Sequence, residues 1–199
     1  MSAPATSLRT RNLRTLGALA ALFLLPLLVS FWMYYATDWR PAAHVNHGEL
    51  IQPARPLPRV DLPRDQGELP VAKLFATHWS LVYVGAGRCA AACRNALVVM
   101  RQTRLSLNNE MARVDRVFLV TDSCCDRDYL GREHAGLEVL DASGAPASAL
   151  LREFPTRDRD ISVFIVDPLG NLMMSFDTRQ NPKGLLQDLQ KLLRLSHIG

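Results

Sequence analysis

The chain has 199 residues, of which 48% are apolar and 21% charged, so a packed core is within reach and a polar disordered chain is excluded. Its formal charge of +4 and calculated pI near 9.1 raise nucleic acid as a partner class. The arginines are interleaved with aspartates, as in Arg157-Asp158-Arg159-Asp160. That pattern makes a mixed solvated surface rather than a phosphate-binding stripe, and nucleic acid is set aside.

The first predicted element is the uncharged run from Leu16 to Ala36, LGALAALFLLPLLVSFWMYYA. About 20 apolar residues cross a bilayer core as a helix. Residues 15–37 are therefore predicted to be a transmembrane helix behind a tail of residues 1–14. A cleaved signal peptide would have a shorter apolar core ending in small residues. This run ends in Phe31-Trp32-Met33-Tyr34-Tyr35, an interfacial aromatic belt, which favours a retained anchor. Arg9, Arg11 and Arg14 precede it and only Arg40 stands close behind. The positive-inside rule then predicts a cytoplasmic tail and a globular part across the membrane, in the periplasm if the membrane is a bacterial inner membrane.

Residues 38–68 carry Pro41, Pro53, Pro56, Pro58 and Pro63 and are predicted to be an extended linker, with a short strand at Glu49-Leu50-Ile51. The folded domain is placed at residues 69–195. Trp79 to Gly85 is a continuous apolar run that reads as a buried strand, followed by a helix from Ala90 to Asn108 and a second strand from Val114 to Thr121. A short helix at Tyr129 to His134, a strand at Leu137 to Leu140 and one or two helical turns within Ala145 to Glu153 come next. A strand at Ile161 to Asp167 turns through Pro168-Leu169-Gly170-Asn171 into a hairpin partner at Leu172 to Phe176, and Pro182 opens a final amphipathic helix. Buried strands alternating with helices imply parallel pairing, and the terminal hairpin adds antiparallel strands. The expected class is α/β, a thioredoxin-like domain with a mixed sheet behind one N-terminal transmembrane helix.

Two cysteines, Cys89 and Cys93 in GAGRCAAACRNAL, fall where the first core strand gives way to the first core helix. On a regular helix, residues four apart lie about 6 Å from each other, within reach of a disulfide or of one shared metal ion. A helix N-terminus with Arg88 and Arg94 alongside favours thiolate, and two thiolates suit Cu(I). Spacing alone leaves electron exchange and copper both open. So short a loop gains little stability from a bridge, which argues against a purely structural disulfide. The second pair, Cys124-Cys125, follows the second core strand and should lie on the same rim, because parallel strands present their carboxyl ends at one edge. Sequence neighbours bridge each other only with strain, so a relay to the first pair or free thiols is expected. Asp122, at the same rim, is read as a turn former that could also orient the thiols.

The anchor, the CxxxC after the first strand, Val120-Thr121-Asp122, and Val166-Asp167-Pro168-Leu169-Gly170-Asn171 before the last hairpin together resemble the SCO/SenC family. The resemblance implies a membrane-anchored thioredoxin-like protein that helps assemble the copper centre of cytochrome c oxidase, with an oxidase subunit or its assembly factors as partner. It also implies copper held by Cys89, Cys93 and a histidine just before the strand at Ile161 to Val166. The sequence departs from the family there: residues 154–160 read FPTRDRD, without histidine, and Arg94 stands where the family has proline. His44, His47, His78, His134 and His197 all lie elsewhere. Three functions follow as expectations: oxidase assembly by copper delivery or thiol reduction, general periplasmic thiol-disulfide exchange with Cys89 attacking and Cys93 resolving, or an anchored scaffold without chemistry.

Overall fold

The computed structural model describes residues 5–36, 46–64 and 74–196. The chain divides into two compact units, residues 1–44 and 45–199. The first contains helix α1 (Ala5–Ala36) with Pro26 inside it. Its stretch Asn12–Ala36 is long and apolar enough to cross a membrane, with a mean hydropathy of 2.2.

The second unit is built on a six-stranded mixed sheet. Its strands are β1 (Glu49–Pro56), β2 (Trp79–Gly85), β3 (Val114–Val120), β4 (Glu138–Asp141), β5 (Ser162–Val166) and β6 (Asn171–Asp177), in the spatial order β1-β6-β5-β2-β3-β4. β2, β3 and β4 run parallel, with Tyr83 opposite Phe118 and Phe118 opposite Val139. β5 lies antiparallel to both β2 and β6, which closes the predicted hairpin. The helices are α2 (Ala91–Leu105), α3 (Arg127–Glu133), α4 (Ala147–Glu153) and α5 (Pro182–Leu195).

Successive strand residues face opposite sides of a sheet, so the uninterrupted apolar runs of the central strands supply two cores at once. Leu81, Tyr83, Phe118 and Val120 pack with Leu97, Met100, Leu185 and Leu189, from α2 and α5. Val82, Val84, Val117 and Leu119 pack on the other side with Leu150 of α4, Phe154 and Leu62. α5 starts as its sequence suggests: Asn181 Oδ1 accepts from Lys183 N at 3.0 Å and Pro182 fills the first turn.

The proline-rich stretch read as a linker is in large part a piece of this domain. β1 covers Glu49–Pro56 rather than three residues, and pairs with β6 at Glu49–Ser175 and Arg55–Leu172 around a register shift. Prolines are tolerated there because β1 is an edge strand. Leu62 is fully buried, a contribution of about 2 kcal/mol for one leucine side chain, and Arg64 bridges to Leu140. Asp188 on α5 holds the chain before β1: its carboxylate accepts from His47 N at 2.9 Å and Gly48 N at 2.8 Å. The predicted domain start at residue 69, like His44 and His197, lies outside the described residues.

Candidate functional site: the two cysteine turns

β2 and β3 are neighbours and parallel, so the turns that leave them share a rim of the sheet. The first turn runs from Ala86 to Ala90, and Cys89 N donates to Ala86 O at 3.1 Å. Helix α2 begins only at Ala91, so Cys89 stands in the turn and not on the helix, contrary to the regular-helix spacing expected of the pair. Its backbone is left-handed, with φ at 42°, a conformation that non-glycine residues seldom adopt. The turn brings its Cα within 5.0 Å of that of Cys93, and the two cysteines form a disulfide. Both are covered, at 1% and 4% exposure, between exposed Arg88, Ala90 and Ala91.

The second turn carries Cys124 and Cys125. They pair with each other, so the free-thiol state expected of them is not what the structure holds. Both are half-buried and pack against the same apolar cluster that contains Cys89 and Cys93. The two turns are locked together through backbone. Asp122 Oδ1 accepts from Gly87 N at 2.6 Å, and Thr121 N donates to Gly85 O at 3.0 Å. A Cβ on Gly87 would stand 2.7 Å from Cys124 Cα, so only glycine permits this approach. Asp122 thus does more than end a strand: it fastens the cysteine turns to each other.

Arg94, on the first turn of α2, reaches across the same rim. Its Nε donates to Cys89 O at 3.2 Å, Nη2 lies 3.4 Å from Asp126 Oδ2, and the guanidinium sits 4.4 Å over the Tyr129 ring. Asp126 also caps α3 by accepting from Tyr129 N at 3.1 Å. Tyr129 and the buried His134 lie 2.9 Å apart, hydroxyl to Nε2. Burial first, and then Arg116 and Arg101, push the His134 imidazole below its ordinary value, with Glu133 opposing. His134 is buried, and nothing in its spacing signalled Arg116 beside it.

The segment where the family places its histidine is occupied differently. Arg159 donates to the carbonyls of Leu151, Phe154 and Pro155 and ties residues 151–159 into a compact bend. Tyr83 donates to Asp160 O at 2.9 Å, joining β2 to this bend. His47 is engaged by Asp188 at 3.2 Å and His78 by Asp115 at 3.1 Å. Among the described residues, no group of three or more His, Cys, Asp and Glu side chains is arranged to hold a metal ion. Among the described residues, Cys89 and Cys93 thus have no third ligand of the kind the resemblance implies.

A cysteine pair bridged at the turn between a central strand and the following helix, on a mixed sheet of this order, defines a thioredoxin-like domain. The chain belongs to the family described as transmembrane-like, thioredoxin-like, C-terminal domain, which matches residues 79–196. No curated protein matches it. Among solved structures, apo Sco1 from Thermus thermophilus is similar at 19% identity, covering 77% of this chain and 100% of that one, with a TM-score of 0.59. Copper-bound yeast Sco1 follows at 15% identity, 76% and 95% coverage and a TM-score of 0.59. Copper-bound ScoI of Bradyrhizobium japonicum is similar at 17% identity, 68% and 98% coverage and a TM-score of 0.52. The likeness at these identities is one of fold, and it is the fold that the sequence resemblance implied.

Proposed function

We propose that this protein is a membrane-anchored thiol-disulfide exchange factor that assists assembly of cytochrome c oxidase by reducing cysteines of an oxidase subunit or of its assembly factors. The observation that carries the chemistry is the Cys89–Cys93 bridge at the strand-to-helix turn. The oxidase setting rests on the resemblance to Sco proteins in fold and motif placement. Copper delivery through Cys89 and Cys93 is the weaker route, because FPTRDRD offers no histidine and the described histidines are engaged elsewhere.

In the reducing direction, the Cys89 thiolate attacks a disulfide of the target and forms a mixed disulfide, releasing one target thiolate. The Cys93 thiolate then attacks Cys89 Sγ, releasing the second. Two electrons pass to the target and the factor ends with the bridge seen in the structure. The domain would work on the periplasmic side of a bacterial inner membrane, an orientation supported by Arg9, Arg11 and Arg14 ahead of the anchor.

The test uses the reduced full-length protein in detergent under anaerobic conditions. It is expected to reduce an oxidised two-cysteine peptide with loss of its own Cys89 and Cys93 thiols, and to surrender Cu(I) to a mild chelator. Retention of one Cu(I) per chain in a Cys89- and Cys93-dependent manner, without peptide reduction, would replace exchange by copper delivery. Neither activity would leave only a scaffold.

A further inference from the structure

The exchange cycle leaves Cys89 and Cys93 oxidised and covered, so an external reductant cannot reach either sulfur while the bridge holds the turn closed. The half-buried Cys124–Cys125 pair shares their apolar cluster and sits on the same rim. Neither bridge acts as a staple. Closing loops this short removes little chain entropy from the unfolded state, and adjacent residues close the shortest loop of all. The outer pair is the more accessible of the two, and greater exposure eases exchange. The backbone contact of Gly87 with Ser123 and Cys124, and the clamp from Asp122 to Gly87, hold the two turns in register.

We propose that Cys124 and Cys125 form a second redox-active pair that receives electrons from an external dithiol and passes them to Cys89 and Cys93. This rests on the exchange reading above. In the first step a dithiol reductant opens the Cys124–Cys125 bridge and is itself oxidised to a disulfide, leaving two thiols on the rim. The Cys124 thiolate then attacks Cys89 Sγ, breaking the Cys89–Cys93 bond and expelling the Cys93 thiolate, which takes up a proton. The Cys125 thiolate next attacks Cys124 Sγ, re-forming the outer bridge and expelling Cys89 as thiolate. Two electrons move inward, and two protons leave the outer thiols as two are taken up by the inner ones. With its bridge gone, the turn from Ala86 to Ala90 is no longer tied to α2 through Cys93. Cys89, flanked by exposed Arg88 and Ala90, can then open toward a target.

The test follows oxidised full-length protein in detergent mixed with limiting dithiothreitol, quenched at intervals with N-ethylmaleimide and mapped by peptide mass spectrometry. In the unaltered chain, label is expected first on Cys124 and Cys125 and later on Cys89 and Cys93. In C124S/C125S, with its far-UV circular dichroism unchanged, labelling of Cys89 and Cys93 should slow by at least about tenfold. The C93S/C125S chain, mildly oxidised with glutathione disulfide, should yield a linked Cys89–Cys124 peptide pair. Label appearing first on Cys89 and Cys93, or at an unchanged rate in C124S/C125S, overturns the relay. The order of labelling in the unaltered chain decides the matter should the double variant fail to fold. If the relay runs but the reduced chain leaves an oxidised two-cysteine peptide untouched, the relay stands and the exchange function falls. If the peptide is reduced while C124S/C125S is recharged at the full rate, the opposite holds.

Discussion

Tyr83 shows how one side chain ties β2 to the bend that precedes β5. Burial first, and then the Asp160 carboxylate, push its phenol up to about 12, and its hydroxyl donates to the Asp160 carbonyl. The folded value lies above the ordinary phenol value of about 10. The stabilisation from this group is therefore whole below about pH 10 and is lost as the pH rises through about 12. Tyr83→Phe keeps the ring against Phe118 and removes the hydrogen bond. Urea unfolding at pH 7 should show a loss of about 1 kcal/mol. The variant should also lack the last phenolate step in an alkaline absorbance titration, and an unchanged titration would show that Tyr83 is not the hindered phenol.

At the scale of elements, the informative case is β1. Its alternation is broken by Pro53 and it ends on Pro56, so periodicity marked only Glu49 to Ile51 as strand. The missing information was tertiary: β6 offers its open edge, and Asp188, 140 residues further along, captures the Gly48 amide. Asp188→Ala leaves the His47 and Gly48 amides without their acceptor. It should cost about 2–4 kcal/mol by urea unfolding, with proteolytic cleavage appearing first within residues 46–56. Cleavage elsewhere first would mean that β1 is held by the β6 ladder alone. The central strands, by contrast, were legible because they are buried on both faces, and a run such as Val117-Phe118-Leu119-Val120 has few other uses. The cysteine rim was legible in the same way, since parallel β2 and β3 had to present Cys89 and Cys124 at one edge. The state of the second pair was not. Adjacency speaks against a bridge on chain-strain grounds, and only the packed turn shows the two cysteines paired.

For the whole molecule, the claim with most reach is topological. If Arg9, Arg11 and Arg14 keep the tail in the cytoplasm, all four cysteines lie on the far side of the membrane. After brief reduction, a membrane-impermeant maleimide added to spheroplasts should label Cys124 and Cys125 without lysis. Labelling that requires lysis would reverse the orientation and place the domain in a reducing compartment, where a stored disulfide has little use.

Both cysteine turns spring from β2 and β3, adjacent strands in the interior of the sheet, while β1 and β4 form its edges. Edges and turns of a fold open locally at low free energy, whereas its central strands separate only when the whole domain unfolds. The cysteine rim therefore combines turns, which open at low cost, with strands that do not. Any opening of the turns starts from and returns to the same two anchoring strands, so repeated opening need not erode the register in which Asp122 and Gly87 hold the turns.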